Sequence, residues 1–143
     1  MMANASMYRT IVAVAVSALC LAAASIGAPA QTVSAPQLAN PASVNCTQKG
    51  GMLQIERRPD GGQYGVCVFA DDYQCEEWAL FRGECPVGGR RVTGYITPAG
   101  RHCAITGGRY TVGAGSSAAD EKGTCTRPDG KVCDADGWYA GTC

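Results

Sequence analysis

Eight cysteines in two similarly spaced sets are the residues of this chain best suited to chemistry. Consecutive cysteines are 21, 8 and 10 positions apart in the first set and 22, 8 and 10 apart in the second. A pattern that recurs in this way indicates two copies of one small module. The two sets are Cys46, Cys67, Cys75 and Cys85, and Cys103, Cys125, Cys133 and Cys143.

The amino terminus predicts an export signal in residues 1–30. Arg9 precedes the apolar run 11–24, and small residues before Ala30 suit cleavage after it. A helix that spans a membrane needs about 20 apolar residues, so we expect no stable membrane insertion. The sequence predicts a periplasmic or secreted protein, and it disfavours a lipoprotein acylated at Cys20 because the residue before this cysteine is large.

Removal of that signal leaves an even number of cysteines in an exported chain. Each module is too small to bury a large apolar core, so disulfides are expected to stabilise it. Structural zinc sites usually contain close Cys-x-x-Cys pairs. The sequence has none, and its single histidine is His102. We therefore predict disulfides, no metal and no cofactor.

The strand pattern of the first module leaves two disulfide pairings open. If 71–72 alone form the turn, Cys67 and Cys75 face opposite sides of the sheet and should not bond each other. Cys46 can then pair with Cys67, and Cys75 with Cys85. In the alternative, Cys46 pairs with Cys75, and Cys67 with Cys85.

A cysteine next to a histidine can supply a nucleophile and its base, as Cys103 and His102 would. The residue aligned with His102 in the first module is Asn45, which cannot act as a base, and a disulfide-bonded sulfur has no thiolate. The sequence contains no Ser-centred nucleophile motif and no Gly-rich phosphate loop. We predict an exposed histidine beside a disulfide, in a protein that is not an enzyme.

The segment that follows Cys75 holds the candidate binding residues, which are Glu76, Glu77, Trp78 and Arg82. The acidic residues here lack the regular spacing around a Gly turn that a calcium loop requires, so turn and surface roles are expected for Asp71, Asp72, Glu76, Glu77 and Glu84. Arg82 is expected at the edge of the module, paired with Glu76 or Glu77.

The aromatic residues Trp78, Phe81 and Tyr64 have two interpretations. They could form an exposed anchor of the kind that dominates interfaces. In a module with few other large apolar side chains, we expect them to form the core instead.

Charge is unevenly distributed, although the formal net charge is zero. Residues 46–85 carry four basic and seven acidic side chains, and residues 103–143 carry four and five. Residues 86–102 hold three arginines, Arg90, Arg91 and Arg101, and no acid. Three arginines are too few for a nucleic-acid footprint, so we predict no nucleic-acid partner and interpret them as solvated surface charge.

The predicted fold class is α+β, with two disulfide-rich modules that each contain a short helix followed by an antiparallel β-meander. Asn40-Pro41 and Thr97-Pro98 are helix starts, and Gly pairs at 50–51 and 107–108 are helix stops. Apolar alternation on either side of a turn at 59–62 predicts strands. The predicted domains are a signal peptide (1–30), a flexible tail (31–39), a first module (40–85), a basic connector (86–96) and a second module (97–143).

Four motifs of the first module resemble a known family. Asn-Pro-Ala-Ser at 40–43, Gly-Gln-Tyr-Gly-Val-Cys-Val-Phe at 62–69, Cys-Glu-Glu-Trp-Ala at 75–79 and Arg-Gly-Glu-Cys at 82–85 resemble a small exported bacterial domain labelled hemolysin and otherwise of unknown function. The resemblance implies a bacterial periplasmic or secreted protein. It implies no activity, because the label carries no catalytic or pore-forming residues to transfer.

The second module departs from these motifs. Ala135, Asp136 and Ala140 stand at the positions of Glu77, Trp78 and Arg82. Any function of those three residues is therefore expected in the first module only.

These observations predict a non-enzymatic envelope protein that binds another protein. A small peptidase inhibitor is the first alternative, with the turn at 57–62 or the Arg90-Arg91 pair as the presented segment. A thiol–disulfide redox enzyme is the second, and it requires a labile disulfide.

Overall fold

The computed structural model describes residues 39–143 and confirms the α+β fold class. In chain order the elements are α1 (Pro41–Gln48), β1 (Met52–Arg57), β2 (Gln63–Val68), β3 (Tyr73–Glu76), α2 (Glu77–Phe81), β4 (Arg90–Arg91), α3 (Pro98–Ile105), β5 (Arg109–Val112), β6 (Gly123–Thr126), β7 (Val132–Asp134) and α4 (Ala135–Tyr139). The predicted signal peptide, its cleavage after Ala30, Cys20 and residues 31–38 of the predicted tail lie outside the described residues. No helix within 39–143 is long and apolar enough to cross a membrane.

Both predicted helix starts are confirmed by their caps. The Asn40 side chain accepts a hydrogen bond from the Ala42 amide at 3.0 Å, and Thr97 Oγ1 accepts one from the Gly100 amide at 3.0 Å. A proline follows each cap, where its missing N–H leaves no helical bond unmade. The helices end where Gly50 and Gly107 adopt φ angles of 82° and 87°, a conformation that glycine adopts at little cost.

The strands form two antiparallel sheets, one in each half of the chain. The first has the order β1-β2-β3-β4 and the second β5-β6-β7. The predicted connector is not merely a linker, because Arg90 and Arg91 pair with Gln74 and Tyr73 as the fourth strand of the first sheet. In each half the third strand, β3 or β7, is followed by a short helix, α2 or α4, which packs against the first helix of its own half.

Four disulfides join the eight cysteines in the same arrangement in both halves. The pairs are Cys46–Cys67, Cys75–Cys85, Cys103–Cys125 and Cys133–Cys143. The first of the two predicted pairings is therefore the one adopted. In each half, one disulfide joins the first helix, α1 or α3, to the second strand, β2 or β6. The other joins the third strand, β3 or β7, to the end of the module.

The geometric reason given for excluding a Cys67–Cys75 bond is wrong. These cysteines are direct cross-strand partners and share one face of the sheet. The turn between β2 and β3 contains three residues, 70–72, because the Phe69 amide bonds the Tyr73 carbonyl at 2.8 Å. One extra turn residue shifts the register by one and reverses the face of every side chain on the strand.

The core of the first half consists of sulfur and small apolar side chains. The buried cluster contains Cys46, Cys67, Cys75, Ala79, Leu80 and Cys85. The expected aromatic core is wrong, since Trp78 is 39% exposed and Phe81 is 48% exposed, while Tyr64 is half-buried. Two adjacent disulfides fill the space between helix and sheet, Phe69 packs against them, and the Trp78 and Phe81 rings remain outside.

Candidate functional site

The two halves pack against each other within one compact unit that includes all described residues. The guanidinium of Arg101 on α3 reaches the first sheet, where it forms two hydrogen bonds of 2.7 and 2.8 Å to Glu56 and two of 2.5 and 2.8 Å to Gln74. These bonds hold the pKa of Glu56 below its ordinary value. Arg90 donates to the Gly108 carbonyl at 3.0 Å. The expectation of solvated surface charge is therefore wrong for Arg90 and Arg101.

His102 lies at the centre of this contact, and the prediction of an exposed histidine is wrong. It is 5% exposed and packs edge-on against Tyr64 of the first half, with ring centroids 5.0 Å apart. From the second half, Tyr139 and Trp138 lie at 5.2 and 6.0 Å. Burial, with the nearby positive charge of Arg58, lowers the pKa of His102 to about 4. The imidazole is therefore neutral at neutral pH.

A groove of about 410 Å³ opens beside His102, with walls from both halves. Its aromatic lining consists of Tyr64 and Trp78 from the first half and His102 and Trp138 from the second. Trp78 projects from α2, where the Glu76 carboxylate caps the helix by accepting hydrogen bonds from the Trp78 amide at 3.1 Å and the Ala79 amide at 2.8 Å. A rigid helix end thus presents an exposed indole to the groove, which we call the inter-module groove.

Three arginines line the inter-module groove, and each forms an ion pair with an acid two positions further along the chain. The pairs are Arg58–Asp60 at 3.1 Å, Arg82–Glu84 at 2.8 Å and Arg127–Asp129 at 3.0 Å. The guanidinium of Arg127 also lies 4.3 Å from the centre of the Trp138 ring, a cation–π distance. The groove therefore combines aromatic surface with guanidinium donors whose orientation is already set.

The four predicted binding residues have different positions. Trp78, Arg82 and Glu76 line the groove, but both carboxylate oxygens of Glu76 are used in capping α2, and burial raises its pKa. Arg82 pairs with Glu84, which corrects the expected pairing with Glu76 or Glu77. Surface roles for Glu76 and Glu77 are wrong, since they are 8% and 5% exposed.

Glu77 is a structural residue that holds α2 against α1. Its carboxylate accepts hydrogen bonds from Asn40 Nδ2 at 3.0 Å and from Ser43 Oγ at 2.6 Å. It lies against Gly65 so closely that a side chain there would overlap it. Alanine stands at the Glu77 position in the second half, and the Tyr110 ring fills the corresponding space. The departure of the second module at this position is thus compensated by packing.

We expect Glu77→Gln to lower the free energy of unfolding by about 1 kcal/mol, because an amide nitrogen cannot accept a hydrogen bond from Asn40 or Ser43. Urea unfolding monitored by circular dichroism measures the change. Glu84→Gln is the matched control, since it removes only a partly exposed pair and should change stability little. Equal losses in the two variants would contradict the structural role of Glu77.

The sequence interpretation missed most of the second-half contribution to the groove. His102 was assigned to the surface, and Arg127 and Trp138 carry no motif that marks them. The repeat offers one signal, because the position of Trp138 aligns with the buried Leu80 of the first half. No group of three or more His, Cys, Asp or Glu side chains that could hold a metal occurs among residues 39–143.

Fold and groove define a small, disulfide-stabilised α+β protein with a groove between two similar halves. The family model described as a domain of unknown function (DUF333) matches residues 37–84. The resemblance of the first module to a domain of unknown function is thereby confirmed, and the match does not extend to the second. No curated protein matches the chain, and no solved structure matches it.

Proposed function

We propose that this protein is a non-enzymatic binding protein of the bacterial envelope that holds a partner protein in the inter-module groove. The observation that carries this proposal is the exposed Trp78 in a groove built by both halves and lined by three guanidiniums. Tryptophan and arginine are the residues most enriched at the energetic centres of protein interfaces. Side chains that are already held in place before binding also lose less conformational entropy when a partner binds.

Export and evolutionary origin belong to the same proposal. Four disulfides indicate an oxidising extracellular or periplasmic environment, which supports cleavage of an export signal after Ala30. The second half is proposed to be a degenerate copy of the hemolysin-labelled domain. Its support is the recurrence of cap, helix, strand order and disulfide pairing in both halves. The hemolysin label itself assigns no lytic activity.

The two alternatives find less support. Thiol–disulfide exchange requires access to a sulfur, and three of the four disulfides join cysteines that are at most 1% exposed; only the Cys133–Cys143 bond has a partly exposed member. An inhibitor presents a protruding loop, whereas Arg90 and Arg91 lie in a strand and Arg58 is held by Asp60. If a serine or cysteine peptidase lost activity when mixed with a stoichiometric amount of this protein, the inhibitor alternative would be favoured again.

Trp78→Ala is expected to reduce capture of the envelope partner at least about tenfold, as truncation of a central interface tryptophan does. The immobilised wild-type protein and the variant are compared on the same periplasmic extract by quantitative mass spectrometry. Phe81→Ala is the matched control, because Phe81 is an exposed aromatic of the same helix that does not line the groove. Equal capture by both variants, or no capture by the wild type above a blank matrix, would contradict the proposal.

A further inference from the structure

We propose that the inter-module groove is a carboxylate-binding site, where an acidic side chain or a chain-terminal carboxylate of the partner accepts hydrogen bonds from Arg58 and His102. The inference rests on the proposed binding function and specifies the chemistry of the ligand. Two buried nitrogens without partners and the free donors of the arginines support it.

Two buried nitrogens that belong to groove-lining residues have no hydrogen-bond partner among the described residues. They are Nδ1 of His102 and Nε of Arg58. Buried polar atoms without a partner are rare and cost free energy. Arginine Nε is always a donor, and a neutral imidazole can carry its proton on Nδ1. A ligand that satisfies both atoms must therefore supply acceptors.

The arginines add further donors to the same space. Arg82 uses Nε and Nη2 on a single oxygen of Glu84, which leaves its Nη1 hydrogens free. Arg58 and Arg127 each contact their acid through Nη2. The carboxylate of Glu76 has no comparable free capacity, because it accepts from two backbone amides. The arginines thus retain unused N–H groups, and guanidinium N–H groups match the geometry of a carboxylate.

The charge of the lining disfavours a doubly charged ligand. Three arginines are balanced by three acids, Glu76, Glu84 and Asp129, and a doubly charged phosphate would meet these acids at close range. A carboxylate on a peptide brings one charge and leaves its apolar neighbours to contact Trp78 and Trp138. The same aromatic walls would gain little from a small inorganic anion.

The chain carries its own reporters of this groove. Its single histidine and both of its tryptophans line the groove, so imidazole NMR signals and tryptophan fluorescence both report on occupancy. The charged groups around His102 are Arg58, Arg101 and Glu56. A bound carboxylate adds a negative charge and favours the imidazolium form. Binding is therefore expected to raise the pKa of His102 from its value of about 4.

The test titrates the full mature protein with three peptides that differ in one group. Ac-Ala-Glu-Ala-NH2 carries a side-chain carboxylate, Ac-Ala-Ala-Ala-OH a terminal carboxylate, and Ac-Ala-Gln-Ala-NH2 none. We expect at least one acidic peptide to bind about tenfold more tightly than the Gln peptide and to raise the His102 pKa. The tighter acidic peptide identifies the source of the carboxylate. Equal Kd values for all three peptides, or unchanged His102 and tryptophan signals, would overturn the inference.

Substitutions test whether Arg58 donates hydrogen bonds to the bound carboxylate. Arg58→Gln is expected to weaken binding of the acidic peptide about tenfold, and Arg91→Gln, at an exposed arginine outside the groove, should leave Kd unchanged. Equal Kd values for these two variants would contradict the role of Arg58. If Arg58→Gln does not fold, Arg58→Lys keeps the charge without the Nε donor, and the wild-type peptide comparison is decisive by itself.

The experiments distinguish failure of the carboxylate inference from failure of the proposed binding function. If no acidic peptide binds preferentially while capture of an envelope partner still depends on Trp78, the carboxylate inference is overturned and the binding function stands. If the acidic peptide binds but no partner is captured, the groove is a carboxylate site and the proposed function is wrong.

Discussion

Replacement of both Cys46 and Cys67 by alanine is expected to lower the free energy of unfolding by about 3 kcal/mol. The bond closes a loop with a sequence separation of 21, so its removal restores conformational freedom to the unfolded chain. Both cysteines are fully buried in a core with few large apolar side chains, and little else ties α1 to β2. Urea unfolding of the oxidised variant and wild type measures the loss.

Removal of the Cys133–Cys143 bond provides the matched comparison. That bond closes a shorter loop, with a separation of 10, and Cys143 is partly exposed at the chain end. We expect the corresponding double alanine variant to lose less stability than the Cys46, Cys67 variant. If the Cys46, Cys67 variant were as stable as the wild type, the disulfide would not support the first half in the way we infer.

Acid is expected to destabilise the protein through its single histidine. The pKa of His102 falls from an ordinary value of 6.5 to about 4 on folding, so the folded protein binds the imidazole proton more weakly than the unfolded chain does. The stabilisation that results from this pKa difference is fully present above the ordinary pKa of 6.5 and is lost as the pH falls toward 4. The full loss is about 3 kcal/mol, of which about 2 kcal/mol falls between about pH 7 and about pH 5.

His102→Gln isolates this effect, because glutamine keeps a polar side chain of similar length without titrating. Urea unfolding at about pH 7 and about pH 5 should show a loss in the wild type and a much smaller one in the variant. Few side chains besides histidine have ordinary pKa values in that interval, and the chain contains one histidine. Full pH dependence in the variant, or none in the wild type, would contradict a buried neutral His102 between the halves.

Local patterns were sufficient to predict much of each half. Asn40 and Thr97 cap their helices because a side-chain oxygen bonds an amide two or three residues away, and Gly50 and Gly107 end them through their own backbone angles. The cysteine spacing likewise predicted disulfides within each half. Such features depend on neighbours along the chain, which the sequence displays directly.

These local patterns could not predict the register of the first sheet. Whether Cys67 and Cys75 share a face depends on one residue in the turn at 70–72, and turns of two and three residues have similar composition. The Asp71 and Asp72 backbones adopt φ angles of 56° and 60°, which aspartate tolerates better than most residues.

Read alone, the sequence determined the α+β fold class, the disulfide-bonded halves and the first helix of each half with the antiparallel strands after it, because each depends on residue type and spacing over short distances. Only the tertiary structure decided that His102 is buried, that Arg101 bonds Glu56 across 45 positions of the chain, and that Trp78 and Trp138 line one groove. Those outcomes depend on how the two halves pack, and packing sets burial, charge environment and the groove itself.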